Sequence, residues 1–298
     1  MSVRTAPRPY PSLGFRRLRA FTILMLLLAA VNTVAHLVER ADVRLPTSAT
    51  TAAAPAPAPP PDPAAVVADA VADWHRAEDG HLAVVVSDLT SGRTSAYGDA
   101  DHAFATASVV KVDILATLLL QKQGKLTSGQ KEVAGRMIRQ SSNGAASTLW
   151  KAIGREKGLA AANATFGLTE TTGGTKGRWG ATTTTTPDQL RLLQVVFTDD
   201  SPLSPDSRAY LQSLMGGVAT DQDWGVSAAD SRGDTHAFVK NGWLPRAGGW
   251  VVTSVGKVEH EGHPLLVVAL SDGGGTQKKG VSAVELVATH AAQDVVGA

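Results

Sequence analysis

Apolar positions beyond residue 63 follow first a helical period and then short strand-like runs, which predicts a domain that contains both α-helices and β-strands. They recur at helical spacing over 64–77, where we expect an amphipathic helix. A β-branched run over 82–88, the turn Thr90-Ser91-Gly92 and a short run over 93–97 predict a hairpin. Near the end of the chain, three strands and a closing helix are predicted over 236–243, 250–258, 264–271 and 281–295.

The middle of the chain is predicted to be helical. Residues 109–123 are apolar nearly all round, which is typical of a buried helix, and helical patterns follow over 128–140 and 144–154. Thr186 offers a capping hydroxyl and Pro187 stands at the first helical position, so another helix is expected to begin there.

This order of elements predicts an α+β fold, specifically an α/β sandwich. Strands from both ends of the domain can pair into one antiparallel five-stranded sheet, which the terminal helices flank. The middle of the chain then forms a helical lobe. We expect an active site in the cleft between the lobe and the sheet.

The first forty residues have the pattern of an export segment. A basic stretch ending at Arg19 precedes an apolar run over 20–31, and a weaker apolar stretch continues to Val38. The pattern predicts a signal peptide or signal-anchor over 1–40. Cleavage after the small residues Thr33-Val34-Ala35 and retention as a membrane anchor both fit, and a buried N-terminal helix is the alternative.

Residues 41–63 are rich in Ala, Pro and Thr, as in Ala54-Pro55-Ala56-Pro57. This composition favours extended conformations and cannot bury a core, so a linker is predicted. The globular domain is then expected over 64–298. We expect it to be secreted or membrane-anchored, outside the cytoplasmic membrane.

Composition and charge remove several classes of function. Of the 298 residues, 43% are hydrophobic and 18% charged, which is enough apolar material for a core. The net charge of +1 gives no indication of nucleic acid as a partner. The absence of cysteine excludes disulfides, cysteine-based metal sites, a cysteine nucleophile and a cysteine-linked lipid anchor. No metal or organic cofactor is implied.

Candidate chemistry begins with Ser108-Val109-Val110-Lys111 at the start of the predicted buried helix. Positions i and i+3 share a face, so the lysine amine can reach the serine hydroxyl. Burial would lower the pKa of the amine and make it a base, and the helix N-terminus suits an oxyanion. The pair alone also fits a capping serine and a lysine whose stem lies along the apolar surface.

Two further motifs follow. Ser141-Ser142-Asn143 stands between two predicted helices, where a polar capping turn is the simpler interpretation. Lys240-Asn241-Gly242 lies on a predicted strand, where an edge lysine and a bend would also fit. The order Ser-x-x-Lys, Ser-x-Asn, Lys-x-Gly is close to the signature of class A β-lactamases and penicillin-binding proteins.

On these motifs the chain resembles the serine β-lactamase and penicillin-binding protein superfamily across essentially all of 64–298. The segments that surround the motifs also resemble those of the superfamily. Residues 137–146 are similar to the helix of the second motif, 238–242 to the strand of the third, and Thr184-Thr185-Thr186-Pro187 to the helix start after the omega loop. The resemblance implies a β-lactamase-like or transpeptidase-like fold. It also implies a serine hydrolase that acts on β-lactams or on D-alanyl-peptide-like amides. Its substrates would thus be small molecules or cell-wall peptides.

The resemblance implies three catalytic roles. Ser108 would be the acylated nucleophile, and Lys111 the amine that helps to activate it. Ser141 would relay a proton to the leaving nitrogen.

It also implies how substrate is held. Asn143 would bind the acyl-side amide, and Lys240 would attract the substrate carboxylate and polarise the relay serine. Asn241 and Gly242 would line the substrate site. The backbone N–H groups of Trp243 and of the nucleophile would form the oxyanion hole.

The chain departs from the class A pattern in ways that bear on turnover. The first two motifs are closer together, so helices that wall one side of the cleft are short or missing. Gly180 falls where the water-activating glutamate of the omega loop is expected, and we do not assign that role to Glu170. Acylation with slow deacylation is the expectation. Asn241, in place of threonine or serine, and the large Trp243 leave the substrate preference open.

Other signals are weaker. His260-Glu261-Gly262-His263 lies in a predicted turn and is interpreted as solvated rather than as a metal site. His102 stands near Ser108, but the sequence has no matching acid motif and no Gly-x-Ser-x-Gly elbow, so a catalytic triad is not expected. A non-turnover penicillin-binding or sensor domain and a structural domain with a decayed site remain as alternatives to the hydrolase.

Overall fold

The computed structural model describes residues 60–233 and 237–297. The predicted signal or anchor segment over 1–40, and the predicted linker up to residue 59, lie outside these residues and stay predictions. Within the described part of the chain, none of the helices combines the length and the hydropathy of a membrane span.

Five antiparallel strands form one sheet, which confirms the predicted fold class. The strands of the domain are β1 (Leu82–Asp88), β2 (Thr94–Gly98), β3 (Phe104–Ala105), β4 (Thr183–Thr184), β5 (Phe238–Arg246), β6 (Gly249–His260) and β7 (His263–Gly274). The sheet has the order β2-β1-β7-β6-β5, and β3 pairs with β4 outside it. Strand β5 is therefore an edge strand.

Helices cover both faces of the sheet. They are α1 (Pro63–Glu78), α2 (Val110–Gln121), α3 (Ser128–Arg139), α4 (Asn143–Ala152), α5 (Arg155–Phe166), α6 (Thr186–Phe197), α7 (Pro205–Met215) and α8 (Gln277–Gly297). The terminal helices α1 and α8 pack on one face, and α2 to α7 form the lobe on the other.

A hydrophobic core fills the space on each side of the sheet. Ala83 and Val85 of β1 belong to the lobe core, whereas Val84 and Val86 belong to the core beneath the terminal helices. Alternate residues of a strand point to opposite faces, and every residue of β1 is buried. This double burial explains why β1 is a continuous apolar run in the sequence.

Helix α2 passes through the lobe core. Its residues from Val110 to Leu119 are all buried, including the charged residues Lys111 and Asp113. An amine and a carboxyl in such a position are removed from water, so their protonation is set by burial and by the few groups that they contact.

The hydrophobic pattern did not predict α5 or α7. In α5 the buried Asn163 and several small residues obscure the period. For α7 a signal was present, because Ser204 caps the helix and Pro205 stands in its first turn. That capping signature, rather than the pattern of apolar residues, marks this helix.

Two local expectations need correction. Thr185, not Thr186, caps α6, since its side chain accepts the N–H of Asp188. The turn at 260–263 is only partly solvated, because the ring of His260 is buried and its Nδ1 lies 2.7 Å from Ala229 O. Among the residues that the structure describes, no His, Asp or Glu cluster is arranged to hold a metal ion.

Candidate active site

Ser108 lies in a 3₁₀ turn that leads directly into α2. Thr106 N donates to Thr182 O at 2.8 Å, and Thr253 Oγ1 donates to Thr106 O at 3.0 Å. Ala107 has a φ of 47°, in the left-handed region that is costly for a residue with a Cβ. The turn is thus held from two sides, and the half-buried Ser108 is fixed at the edge of the cleft.

The amine of Lys111 is the centre of the site. Its Nζ lies 2.7 Å from Ser108 Oγ and 2.7 Å from Ser141 O. It also lies 3.0 Å from Ser141 Oγ and 3.0 Å from Asn143 Oδ1. The structure therefore brings the first two predicted motifs together at one nitrogen atom.

Burial lowers the pKa of the Lys111 amine from 10.5 to about 7. Two of its neighbours, Ser141 O and Asn143 Oδ1, can only accept hydrogen bonds, so they take the two N–H groups of a neutral amine. The lone pair is then left for a hydroxyl, and Ser108 Oγ is the nearer of the two. In this state the amine can accept the serine proton.

The turn between α3 and α4 delivers Ser141 and Asn143 to the amine. Ser141 has a φ of 51°, and both its carbonyl and its hydroxyl contact Lys111. Ser142 caps α4 by accepting the N–H of Ala145 at 3.3 Å. The capping interpretation of this motif is thus correct for Ser142, whereas its two neighbours contact the amine.

Lys240 and Asn241 on β5 are both buried. Lys240 Nζ donates to Asn241 O at 2.7 Å, and Asn241 Nδ2 donates to Gln222 O at 2.7 Å. Burial, and to a smaller extent the charge of Lys111, lowers the pKa of Lys240 well below its usual range. The hydrogen bonds of the described residues include none between Lys240 and Ser141, so a polarising role of Lys240 stays a prediction.

Gly242 is where β5 passes next to the nucleophile. A Cβ at this position would lie 2.5 Å from Ser108 N and 3.0 Å from Thr106 O, so only glycine fits. The backbone of Gly242 therefore runs beside the Ser108 N–H group, next to the position expected for the oxyanion hole.

Trp179 and Gly180 face the Ser108 turn from the loop before β4. The Trp179 ring centroid lies 4.9 Å from Lys111 Nζ, and its Nε1 donates to Ser147 Oγ at 3.1 Å. A Cβ at Gly180 would come no closer than 3.7 Å to Ala107 O, so a side chain has room there. No motif in the sequence marks Trp179 as a site residue, although its place beside Gly180 is an available signal.

Trp224 pairs with Trp243 beside the third motif. Their ring centroids are 5.7 Å apart with an interplanar angle of 52°. Both rings are partly exposed. Trp224 was missed because nothing in its local sequence connects it with Trp243.

Solved structures with the same arrangement of elements identify the fold. A β-lactamase from Desulfarculus baarsii matches with a TM-score of 0.64 at 20% identity, covering 79% of this chain and 98% of its own. PBP-A, in a mutant form described as an acyl-enzyme complex with penicillin G, matches with a TM-score of 0.65 at 20% identity. That match covers 80% of this chain and 100% of PBP-A. These likenesses define a β-lactamase fold.

The chain belongs to the beta-lactamase enzyme family, whose model matches residues 121–295. The superfamily inferred from the three motifs is thereby confirmed. The matched region begins after Ser108 and Lys111. It covers the helices of the lobe beyond α2, the C-terminal strands and most of α8.

Curated relatives occur in mycobacteria. "Putative lipoprotein LppW" of Mycobacterium tuberculosis is 28% identical over 197 residues, covering 63% of this chain and 62% of the relative. The Mycobacterium bovis protein of the same name matches equally. The chain thus spans about 62% of the length of the curated relatives that it matches.

Proposed function

We propose that the protein is a serine hydrolase in which β-lactams or D-alanyl-peptide-like amides acylate Ser108 and the acyl group leaves slowly. The observation that carries the proposal is the 2.7 Å contact between Ser108 Oγ and the buried Lys111 amine. Burial brings the pKa of this amine to about 7, so near neutral pH a large share of it is the free base.

Acylation then uses groups that surround one nitrogen. Neutral Lys111 takes the proton of Ser108 while Oγ forms a bond to the substrate carbonyl carbon. The C–N bond breaks, and the leaving nitrogen takes a proton through Ser141, whose Oγ lies 3.0 Å from Lys111 Nζ. The N–H groups of Ser108 and Trp243 stabilise the oxyanion, and Asn143 binds the acyl-side amide.

Release of the acyl group requires an activated water molecule. In the ranges 60–233 and 237–297, the side-chain hydrogen bonds of Ser108, Lys111 and Ser141 involve no carboxylate. Gly180, on the loop against the Ser108 turn, has space for a side chain but carries none. We therefore expect the acyl-enzyme to persist.

The same feature supports a second candidate function. A domain that is acylated and never turns over would serve as a penicillin-binding protein or a sensor. The two functions differ in one quantity, the rate of deacylation relative to the rate of acylation.

We also propose that the domain acts outside the cytoplasmic membrane, exported or anchored through residues 1–40. The lipoprotein name of the mycobacterial relative supports this location. The present sequence contains no cysteine that could carry a lipid, so the apolar run over 20–31 is the segment proposed to reach the membrane.

The test follows the intact mass of the full chain over time, in parallel with penicillin G and with its methyl ester. We expect an adduct that maps to Ser108, is absent from Ser108→Ala and is retained in Ser213→Ala, a control at an exposed serine of α7. Labelling of Ser108→Ala at the wild-type rate would overturn the nucleophile assignment.

Gly180→Glu tests slow release, because the new carboxylate would face the acylated turn. We expect it to shorten the lifetime of the adduct, with Gly180→Gln as the matched uncharged control. A wild-type adduct that vanishes as fast as it forms would show that slow release is wrong.

A further inference from the structure

We propose that a cavity on the helical lobe, separate from the Ser108 cleft, binds a phosphate group that carries a proton. The cavity has a volume of about 390 Å³ and lies between the end of α4, the start of α5 and the loop before β4. This volume is in the range of small-molecule sites. None of the described residues that line the cavity belongs to the three sequence motifs, so the inference does not depend on the proposed hydrolysis.

Three cations line the cavity. Lys151 lies at the end of α4, Arg155 begins α5, and Lys176 stands on the loop before β4. Within 60–233 and 237–297, none of the ion pairs involves any of the three. Among the described lining residues, only Glu156 carries a carboxylate. The cavity therefore has an excess of positive charge, which attracts an anion.

Helix α5 begins at the cavity without a side-chain cap. Arg155 and Glu156 are its first two residues, and Gly154 before them has no side chain that could accept their N–H groups. The first N–H groups of a helix lack partners within the helix, and anions commonly bind to them. The start of α5 thus adds donors to the three cations.

Two buried polar atoms of the lining residues lack partners. Trp150 Nε1 and Glu156 Oε2 are buried and have no hydrogen-bond partner among the residues that the structure describes. Trp150 itself is only 1% exposed. The two side chains lie close together, because a Cβ at Gly173 would be 3.4 Å from the Trp150 ring and 2.9 Å from Glu156 Cβ. Since buried polar groups without partners are costly, this place favours a ligand that satisfies both.

The unpartnered donor and acceptor together select the ligand. An indole N–H can only donate, and a carboxylate can only accept. A phosphate with a proton accepts from Trp150 and from the cations, while its own O–H donates to Glu156. Sulfate has no O–H group at neutral pH, so the Glu156 carboxylate would repel it.

The cavity is connected to the catalytic amine through Trp179. Ser147, which lines the cavity, accepts the N–H of Trp179 at 3.1 Å, and the Trp179 ring centroid lies 4.9 Å from Lys111 Nζ. Trp179 thus contacts both places. None of the contacts proposed for phosphate involves the catalytic amine.

Isothermal titration calorimetry of the full chain with sodium phosphate and with sodium sulfate, at neutral pH and constant ionic strength, tests the site. We expect saturable binding of phosphate with a Kd of about 1 mM or below, and at least ~10-fold weaker binding of sulfate. Absence of saturable phosphate binding, or sulfate binding as tight as that of phosphate, would overturn the inference.

Two variants locate the bound anion. Lys151→Gln should weaken phosphate binding about 3- to 10-fold, whereas the matched control Lys131→Gln, at an exposed site on α3, should keep the wild-type affinity. Glu156→Gln should bring the affinity for sulfate to within about twofold of that for phosphate, because the amide can donate to either anion. Wild-type affinity in Lys151→Gln, or an unchanged preference for phosphate in Glu156→Gln, would contradict the inference.

Lys111→Met distinguishes the cavity from the catalytic cleft. It should bind phosphate with the wild-type affinity, and loss of binding in this variant would show that the anion occupies the cleft instead. These titrations do not use acylation, so their failure would leave the proposed function untouched.

Titration with methyl phosphate identifies the source of the phosphate group. Free phosphate keeps a proton at neutral pH, whereas a monoester loses most of its second proton above about pH 6. Equal affinity for the two compounds would assign the cavity to phosphomonoesters, and weaker binding of methyl phosphate would assign it to free phosphate.

Discussion

Asp113, two residues after Lys111 on α2, is a buried carboxyl that the proposed acylation does not use. It accepts hydrogen bonds from Asn163 Nδ2 at 3.1 Å and from Thr117 Oγ1 at 3.4 Å. Burial raises the pKa of Asp113 from 3.8 to about 7, although these two bonds act in the opposite direction. Its protonated form is therefore the stable one in mildly acidic solution.

Asp113→Asn should remove a pH dependence of stability. Between about pH 4 and pH 7 the native state keeps a proton that the unfolded chain has lost. The free energy of unfolding of the wild type therefore falls as pH rises through this window, by on the order of a few kcal/mol. The variant should lack this fall and be more stable than the wild type above pH 7.

Urea titrations of the wild type, Asp113→Asn and the control Asp69→Asn, at an exposed site on α1, measure this difference. The control should keep the slope of the wild type. Parallel pH profiles for Asp113→Asn and the wild type would show that Asp113 does not hold the native-state proton.

At the scale of residues, the sequence could predict contacts that arise within one helical turn. The Ser108–Lys111 pair is such a contact, because helix geometry places i and i+3 on one face. The bond from Asn241 to Gln222 O joins segments that no period connects, so it required the structure. That contact uses one of the two hydrogens of the Asn241 amide.

At the scale of elements, the site depends on how closely β5 approaches the Ser108 turn. Gly242→Ala would place a methyl group 2.5 Å from Ser108 N and force the strand and the turn apart. We expect acylation to slow by up to about 100-fold, since misplacing a reacting group by about 1 Å can have that effect.

The control for this variant is Gly135→Ala on α3, where a Cβ would meet nothing within 4 Å. It should keep the acylation rate and gain up to about 1 kcal/mol of stability, because alanine favours the helix. An unchanged acylation rate in Gly242→Ala would mean that the close approach is not needed for catalysis.

Elements with a strong period were predictable, and those without one were not. The strands β1, β6 and β7 stand out as β-branched runs, and α2 as an apolar helix. Helix α5 does not, since Asn163 is buried on it and its packing comes from the rest of the lobe.

At the scale of the whole molecule, the sheet separates two cores with different consequences for the site. Leu115 lies in the lobe core one turn after Lys111, and Leu265 lies in the core beneath α1 and α8. Leu115→Ala and Leu265→Ala should each lower the free energy of unfolding by roughly 2–5 kcal/mol. Only Leu115→Ala should also slow acylation, because it loosens the helix that carries the amine.

Urea denaturation and intact-mass kinetics on the two variants measure both quantities. Equal loss of acylation rate in the folded forms of both variants would contradict this division.

The fold class itself was predictable, because strands at both ends and helices between them leave few arrangements. The packing of the lobe was not, since it depends on α5 and α7 and on contacts between distant segments.

The role of Lys111 is tested most directly by the pH dependence of Ser108 acylation, followed by intact mass in the pre-steady state with penicillin G. We predict a rate that rises with pH to a plateau with a midpoint of about 7, where burial places the pKa of the Lys111 amine. Lys111→Met should lose this rise and most of the rate. A wild-type rate without a titration near pH 7, or a Lys111→Met variant that is acylated as fast as the wild type, would contradict the claim that Lys111 activates Ser108.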